Sequence, residues 1–203
     1  MDHEFLLLRH GESTWNEARR WQGRCDPSLT ERGERAARLC AADLLPYGFG
    51  LVCSSELSRA RRTAEILAAA LRLDPPLIDE RLVERDVGAW AGLTDLEIEA
   101  RWPGQPAAWR GNDDEPTPGG GEGSGAVAAR VSGCLLDLVA AHEGQRLLVV
   151  THGGVIRALD RACGGSGVPI PNLGGRWFEY VGAGLRSGET LEPAPRDASP
   201  RRL

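Results

Sequence analysis

The chain has 203 residues, 41% of them hydrophobic and 26% charged, which fits one soluble globular domain and leaves little room for two. Its 24 basic residues are all arginine and are outnumbered by 29 acidic residues; the net charge of -5 argues against a nucleic-acid partner. The five cysteines are scattered without a C-x-x-C pair, as in cytoplasmic proteins with reduced thiols. The apolar run in "MDHEFLLLRH" is short and follows acidic residues, so we expect no signal peptide and no membrane span.

The first half of the chain predicts two strands, each followed by a helix. Residues 5–9 and 51–55 are short apolar runs typical of buried strands. Between them, "LTERGERAARLCAADLLP" places Ala36, Cys40 and Leu44 at four-residue spacing, after a threonine and before a proline. This pattern predicts an amphipathic helix. The stretch "SRARRTAEILAAALRL" predicts a second helix after the second strand.

The second half contains one long irregular segment. Residues 94–102 predict a short helix, whereas residues 103–125 are rich in proline, glycine and acids and are interpreted as a specificity loop. Helical spacing resumes at Val127, "RLLVVTHGG" predicts the strongest strand, "VIRALDRAC" a helix and "RWFEYVGAG" a late strand. We expect residues 188–203, which hold three prolines, to be a disordered tail, so that residues 1–187 form a single domain.

The alternation of strands and helices predicts an α/β fold, a three-layer αβα sandwich around a mostly parallel sheet. In open parallel sheets, ligands bind outside the carboxyl ends of the strands. Three predicted strands end in polar pairs, namely Arg9–His10, Ser54–Ser55 and Thr151–His152. If these strands are parallel neighbours, the two histidines lie close together at one edge.

His10 and His152 differ from the other two histidines because each closes an apolar strand and precedes a glycine. Glycine permits a tight turn and a close approach of the backbone to a bound group. Arg59 begins the helix after the second strand, and both arginine forks and helix N-termini favour phosphate-like anions. Arg61 and Arg62 are interpreted as a solvated helix face. No H-x-x-x-H or His–Cys spacing occurs in the sequence, so we expect no metal site.

Five stretches of the chain occur in an order that resembles a known family. They are "LLLRHGESTWN", "LTERGERAARL", "CSSELSRARRTAE", "ERDVGAWAGLT" and "VVTHGGVIRAL", and they span roughly residues 4–160. Together they resemble the histidine phosphatase superfamily in its phosphoglycerate-mutase-like branch. Within it they are most similar to the broad-specificity and sugar-phosphate phosphatases.

The resemblance implies a role for each matching residue. His10 would be the nucleophile that becomes a phosphohistidine, with Arg9, Arg59 and His152 around the phosphoryl oxygens. Glu84 would protonate the leaving oxygen and later activate water, so it must carry a proton before transfer. The resemblance further implies substrate contacts from Asn16, Gln22, Gly23 and Gly153.

The same family contains phosphatases and mutases. Gly154 stands where mutases of this branch commonly carry asparagine, and the segment after "ERDVG" has only Arg101 and Arg110 and no lysine to grip a carboxylate. We therefore expect a metal-independent phosphomonoesterase that hydrolyses a small phosphorylated metabolite, needs no cofactor and is most active at acidic to neutral pH. A 2,3-bisphosphoglycerate-dependent phosphoglycerate mutase and a catalytically silent phosphate-binding module stay open as alternatives, and so does a homodimer.

Three features of the second half bear on the substrate. "PTPGGGEG" resembles a Pro-x-Gly-Glu-Ser stretch of the phosphatases, with Gly123 in place of the serine. The acidic run 113–115 either repels very acidic substrates or is a solvated loop. Four tryptophans are interpreted either as core or as a wall that stacks a sugar; they are Trp90, Trp102, Trp109 and Trp177.

Overall fold

A computed structural model describes residues 3–111, 114–182 and 184–193. The strands are β1 (His3–Arg9), β2 (Leu51–Ser54), β3 (Leu77–Ile78), β4 (Leu147–Thr151), β5 (Gly175–Val181) and β6 (Gly184–Leu191). The α-helices are α1 (Thr14–Glu17), α2 (Glu31–Leu44), α3 (Ser58–Leu71), α4 (Asp95–Arg101), α5 (Gln105–Gly111), α6 (Ser124–Ala141) and α7 (Gly153–Ala162).

The six strands form one sheet in the order β3-β2-β4-β1-β5-β6. The first four are parallel to one another, and β5 and β6 are antiparallel to their neighbours. The expected mostly parallel sheet is confirmed. Its two central strands, β1 and β4, carry the histidine motifs at their carboxyl ends.

The side chains of β1 alternate between two hydrophobic cores. Phe5 and Leu7 pack with α6 and α7, whereas Leu6 and Leu8 pack with α2 and α3 on the opposite face. All four are fully buried. A strand buried on both faces is apolar at every position, which explains the unbroken run in "FLLL" and gives the three-layer architecture.

Helix caps fit the sequence pattern at the start of α2. The Thr30 side chain accepts a hydrogen bond from the Gly33 amide at 2.9 Å, as an N-cap residue does. Arg62 of α3 pairs with Glu34 of α2 at 2.9 Å on the surface. The interpretation of Arg62 as part of a solvated face therefore fits its position.

Two predictions for the irregular segments were wrong in part. Residues 105–111 of the predicted loop form α5, whose short length and single tryptophan give no amphipathic period. Residues 188–191 of the predicted disordered tail belong to β6, which pairs with β5. Its exposed, glycine-containing sequence resembles a loop because only one edge of the strand is paired. Residues 194–203 lie outside the described residues.

Helix α6 is apolar and 18 residues long, enough by length and composition to cross a membrane. In this structure Val127, Val131, Leu135 and Leu138 of α6 are buried in the core that covers one face of the sheet. Its apolar character is accounted for by that packing.

Candidate active site

The carboxyl ends of β1 and β4 place two histidines side by side. The strands pair Arg9 with Thr151, and the His10 amide donates to the Thr151 carbonyl oxygen at 3.0 Å. The rings of His10 and His152 therefore meet with centroids 5.2 Å apart and an interplanar angle of 61°. Both side chains are buried.

One hydrogen bond decides which ring nitrogen of His10 can react. Nδ1 lies 2.7 Å from the Gly11 carbonyl oxygen. Because a carbonyl only accepts, Nδ1 carries the proton and Nε2 of the neutral ring keeps its lone pair. Burial, followed by the positive charges of Arg9 and Arg59, lowers the pKa of His10 well below 6.5. His10 is thus neutral at physiological pH, as a nucleophile must be.

Ser55, just after β2, orients His152. Its Oγ accepts from the Leu57 amide at 3.2 Å and lies 2.9 Å from Nε2 of His152. We assign the tautomer in which the hydroxyl donates to Nε2 and the proton sits on Nδ1, a buried atom with no hydrogen-bond partner among the described residues. Burial, followed by the charge of Arg59, lowers the pKa of His152 well below 6.5. His152 offers a neutral N–H donor beside His10.

The buried Arg59 and the partly buried Arg9 supply the positive charge. Arg59, fully buried in the first turn of α3, donates to the carbonyl oxygens of Cys25 at 2.7 Å and Gly23 at 2.9 Å. Arg9 donates to the carbonyl oxygen of Ile170 at 2.7 Å. The Nε atoms of both arginines are buried without a partner in the described part of the chain. Burying two cations with unmet donors is costly unless an anion joins them.

Glu84 rests against the N-terminus of α7. Its Oε1 accepts from the Arg85 amide at 2.7 Å and its Oε2 from the Gly154 amide at 3.2 Å. A Cβ on Gly154 would lie 2.5 Å from Oε1, so a larger residue here would require the carboxyl group to shift. Glu84 and His10 line the same cavity, so the predicted proton donor lies near the predicted nucleophile.

The turn after β1 fixes the remaining predicted contacts. The Ser13 side chain and Asn16 form a capping box at α1, and Ser13 Oγ donates to Gln22 Oε1 at 2.8 Å. Asn172 donates to Asn16 Oδ1 at 3.2 Å and to the His10 carbonyl oxygen at 2.9 Å. These bonds use the carbonyl end of Asn16, so its amide nitrogen is the end that can donate to a ligand. Sequence reasoning missed Asn172, which no motif marks.

A cavity of about 290 Å³ opens beside His10. Seven of the nine predicted site residues line it, and Arg59 and His152 lie fully buried beneath. The structure brings all nine together, while their roles remain predictions. The prediction named Trp109 but missed the other residues of the outer part of the cavity, which are Arg19, Arg20, Trp21, Arg85, Asp95 and Arg157. These residues come from separate segments, so only the folded chain shows that they share one wall.

The predicted tryptophan wall exists only in part. Trp109 lines the cavity together with Trp21, which the prediction left out. Trp90 and Trp102 pack in the hydrophobic cluster with Trp109 and Trp21. Including Trp177 was wrong, because it lies on β5 and packs in the core under α2 and α3. Sequence spacing cannot tell these locations apart.

The acidic run does not face the site where it is described. Asp114 accepts hydrogen bonds from Ser124 Oγ at 2.6 Å and the Gly125 amide at 3.0 Å, and so holds the start of α6. Asp113 lies outside the described residues. A Cβ on Gly123 would meet the Asp114 carbonyl oxygen at 2.3 Å, which accounts for the glycine where the family stretch has serine.

The described residues contain no group of three His, Cys, Asp or Glu side chains placed to hold a metal ion. That the protein needs no metal or cofactor stays a prediction.

All five cysteines are free. Burial raises the pKa of Cys53 to about 12, so this thiol is unreactive at neutral pH.

Phosphoryl transfer through a histidine requires a neutral histidine with an open Nε2, arginines around it and a carboxyl group, and all of these meet at one cavity. Comparison with known proteins agrees. Residues 5–173 match the family model of the histidine phosphatase superfamily, branch 1. The chain belongs to this superfamily and is a histidine phosphatase, a class of hydrolase.

Its relatives include both activities that the sequence left open. The chain is 40% identical to a 2,3-bisphosphoglycerate-dependent phosphoglycerate mutase of Methylobacterium radiotolerans over 166 residues, 78% of each chain. It is 35% identical to a glucosyl-3-phosphoglycerate phosphatase of Mycolicibacterium vanbaalenii over 198 residues, 91% of this chain and 86% of the relative. A solved mycobacterial glucosyl-3-phosphoglycerate phosphatase in complex with VO3 matches with a TM-score of 0.81 and 31% identity. That match covers 92% of this chain and 96% of the solved one.

Proposed function

We propose that this protein is a metal-independent phosphomonoesterase that hydrolyses a small phosphorylated metabolite through a phosphohistidine on His10. The observation that carries the proposal is the buried, neutral His10 ring, whose Nδ1–H is held by the Gly11 carbonyl while Nε2 stays open beside the buried Arg59 and the partly buried Arg9. Cytoplasmic location and the absence of nucleic-acid and membrane partners belong to the same proposal.

The reaction has two balanced steps. In the first, Nε2 of His10 attacks phosphorus, the bond from phosphorus to the leaving oxygen breaks, and Glu84 gives its proton to that oxygen. Arg9, Arg59 and the Nδ1–H of His152 stabilise the negative charge on the phosphoryl oxygens. In the second, Glu84 takes a proton from water, the water oxygen attacks phosphorus, and the bond to His10 breaks to release inorganic phosphate.

The alternative is a phosphoglycerate mutase, which returns the phosphoryl group to a phosphoglycerate instead of water. The identity of 40% to a mutase favours it. Gly154 favours the phosphatase, because mutases of this branch commonly carry asparagine at that place. The segment after "ERDVG" favours it too, because this segment lacks the lysine and the adjacent arginines with which those mutases grip the phosphoglycerate carboxylate.

A phosphorus NMR time course with EDTA present separates the two. The mixture contains 3-phosphoglycerate with a trace of 2,3-bisphosphoglycerate, a sugar phosphate and an aryl phosphate. We expect inorganic phosphate from the wild type and from the control His142→Ala, but none from His10→Ala. Conversion of 3- to 2-phosphoglycerate without phosphate release would establish the mutase. Loss of activity in EDTA that added metal restores would disprove the metal-independent mechanism.

A further inference from the structure

Arg19 occupies a backbone position that favours glycine. It follows α1 with a φ of 52°, in the left-handed region. Its amide donates to the Asn16 carbonyl oxygen at 3.1 Å, and the Arg20 amide donates to the Trp15 carbonyl oxygen at 2.9 Å. These two bonds form a Schellman motif, in which glycine usually fills the left-handed position because a Cβ is disfavoured there. The chain keeps a long charged side chain where the backbone would be more stable without it.

That side chain lines the active-site cavity. Arg20, which lies on the same wall, is engaged with the Gly92 carbonyl oxygen at 2.6 Å and with Glu97 at 2.9 Å. Arg85 and Arg157 lie over the ring of Trp109, at 4.5 and 5.5 Å from its centroid. These three arginines have partners that hold them in the cavity wall.

The guanidinium of Arg19, by contrast, is exposed and forms no hydrogen bond or ion pair within the described ranges. Five arginines and two acidic residues, Glu84 and Asp95, line the cavity in the described part of the chain. Arg9 belongs to the phosphoryl site, so the outer cavity keeps an excess of positive charge after one phosphate is bound.

We infer that Arg19 is a specificity-determining residue that binds a second anionic group, a carboxylate or a phosphate, on the leaving group of the substrate. The inference rests on the proposed phosphomonoesterase function and narrows its substrate class to phosphomonoesters whose alcohol is itself negatively charged. A free arginine fork at the cavity mouth gives charge-assisted hydrogen bonds to such a group.

The test uses a matched pair of ligands. 3-Phosphoglycerate carries a carboxylate at the end of its alcohol part, where glycerol 3-phosphate carries a neutral hydroxymethyl group. Their dissociation constants are measured by titration calorimetry in a His10→Ala background, which needs no turnover, with and without Arg19→Gly. We expect Arg19→Gly to raise the dissociation constant of 3-phosphoglycerate about tenfold, which corresponds to about 1.4 kcal/mol of binding free energy. The dissociation constant of glycerol 3-phosphate should rise less than twofold. The Arg19→Lys variant should retain most of the preference for 3-phosphoglycerate over glycerol 3-phosphate, and the Arg19→Asn variant should lose this preference.

Arg72→Gly is the matched control, because Arg72 is an exposed arginine with a φ of 60° at the end of α3 and does not line the cavity. Both glycine variants should raise the thermal midpoint by about 2–4 °C. Only Arg19→Gly should change ligand preference. The inference would be overturned if Arg19→Gly weakened the binding of both ligands equally, or if it left the affinity for 3-phosphoglycerate unchanged. It would also be overturned if neither ligand bound to the parent protein. Failure of the wild type to release phosphate would instead refute the proposed function, because the binding ratio is measured without turnover.

Discussion

Gly154→Ala is expected to misplace the proton donor while leaving the fold intact. The added Cβ would lie 2.5 Å from Glu84 Oε1, and an ordinary contact begins at 3.4 Å, so the carboxyl group must move by about 0.9 Å. A displacement of about 1 Å in a reacting group costs roughly 10²-fold in rate. We therefore expect kcat for an alkyl phosphate to fall by about 10²-fold.

The assay distinguishes this effect from general damage. An aryl phosphate has a leaving group that departs without a proton, so a rapid burst of aryl alcohol should persist in Gly154→Ala although steady turnover slows. Gly133→Ala is the control, because Gly133 lies within α6 and a Cβ there meets nothing within 4 Å. It should gain up to about 1 kcal/mol of stability and keep full activity. If Gly154→Ala turned over an alkyl phosphate within twofold of the wild type, the dependence of Glu84 on this glycine would be refuted.

Two further predictions concern the buried charges. Because the folded-state pKa of His10 and of His152 lies below 6.5, the unfolded chain binds more protons below that pH, and stability falls as the pH drops. Urea unfolding in phosphate-free buffer should therefore show a shallower loss of stability between pH 7 and 5.5 in His152→Gln than in the wild type; parallel slopes would contradict this. Arg59→Met leaves the carbonyls of Gly23 and Cys25 without their donor, and should cost about 3 kcal/mol and lower kcat/KM by about 10³-fold. An Arg59→Met variant with near-normal kcat/KM would remove Arg59 from the phosphoryl site.

The sequence was sufficient to predict the centre of the site because that centre follows from strand ends. His10 and His152 each terminate an apolar run, and parallel strands that pair in register bring their carboxyl ends together. Arg59 was indicated by its place at the start of the helix after the second strand. The family resemblance added Glu84, which lies on another segment and carries no local signal of its own. The glycine at position 154 was noticed in the sequence, but its contact with Glu84 required coordinates.

The outer cavity could not be predicted because its residues share no period and no spacing. Trp109 lies in a segment without apolar repeat, and Trp177 gave the same compositional signal while packing elsewhere. The left-handed backbone at Arg19 could not be predicted from the sequence either, since arginine is an unusual residue for that conformation. Short strands such as β3, two residues long, are below the length at which alternation can be recognised.

The two walls of the cavity are held in place by different means. The inner wall is formed by strand ends and by two helix N-termini, whose positions are fixed by the central core. Trp109 belongs instead to a separate small cluster, and its indole donates to the Glu115 carbonyl oxygen at 3.2 Å, within the same segment. The end of the segment between α4 and α6 is tied to the residues after Glu84, because Arg85 donates to the Glu122 carbonyl oxygen and the Glu122 amide donates to the Asp86 carbonyl oxygen. Substitutions can therefore accumulate with least effect on the phosphoryl site earlier in this segment, in and around α5. In descendants of this chain we expect substrate range to diverge through that segment while the chemistry is inherited unchanged.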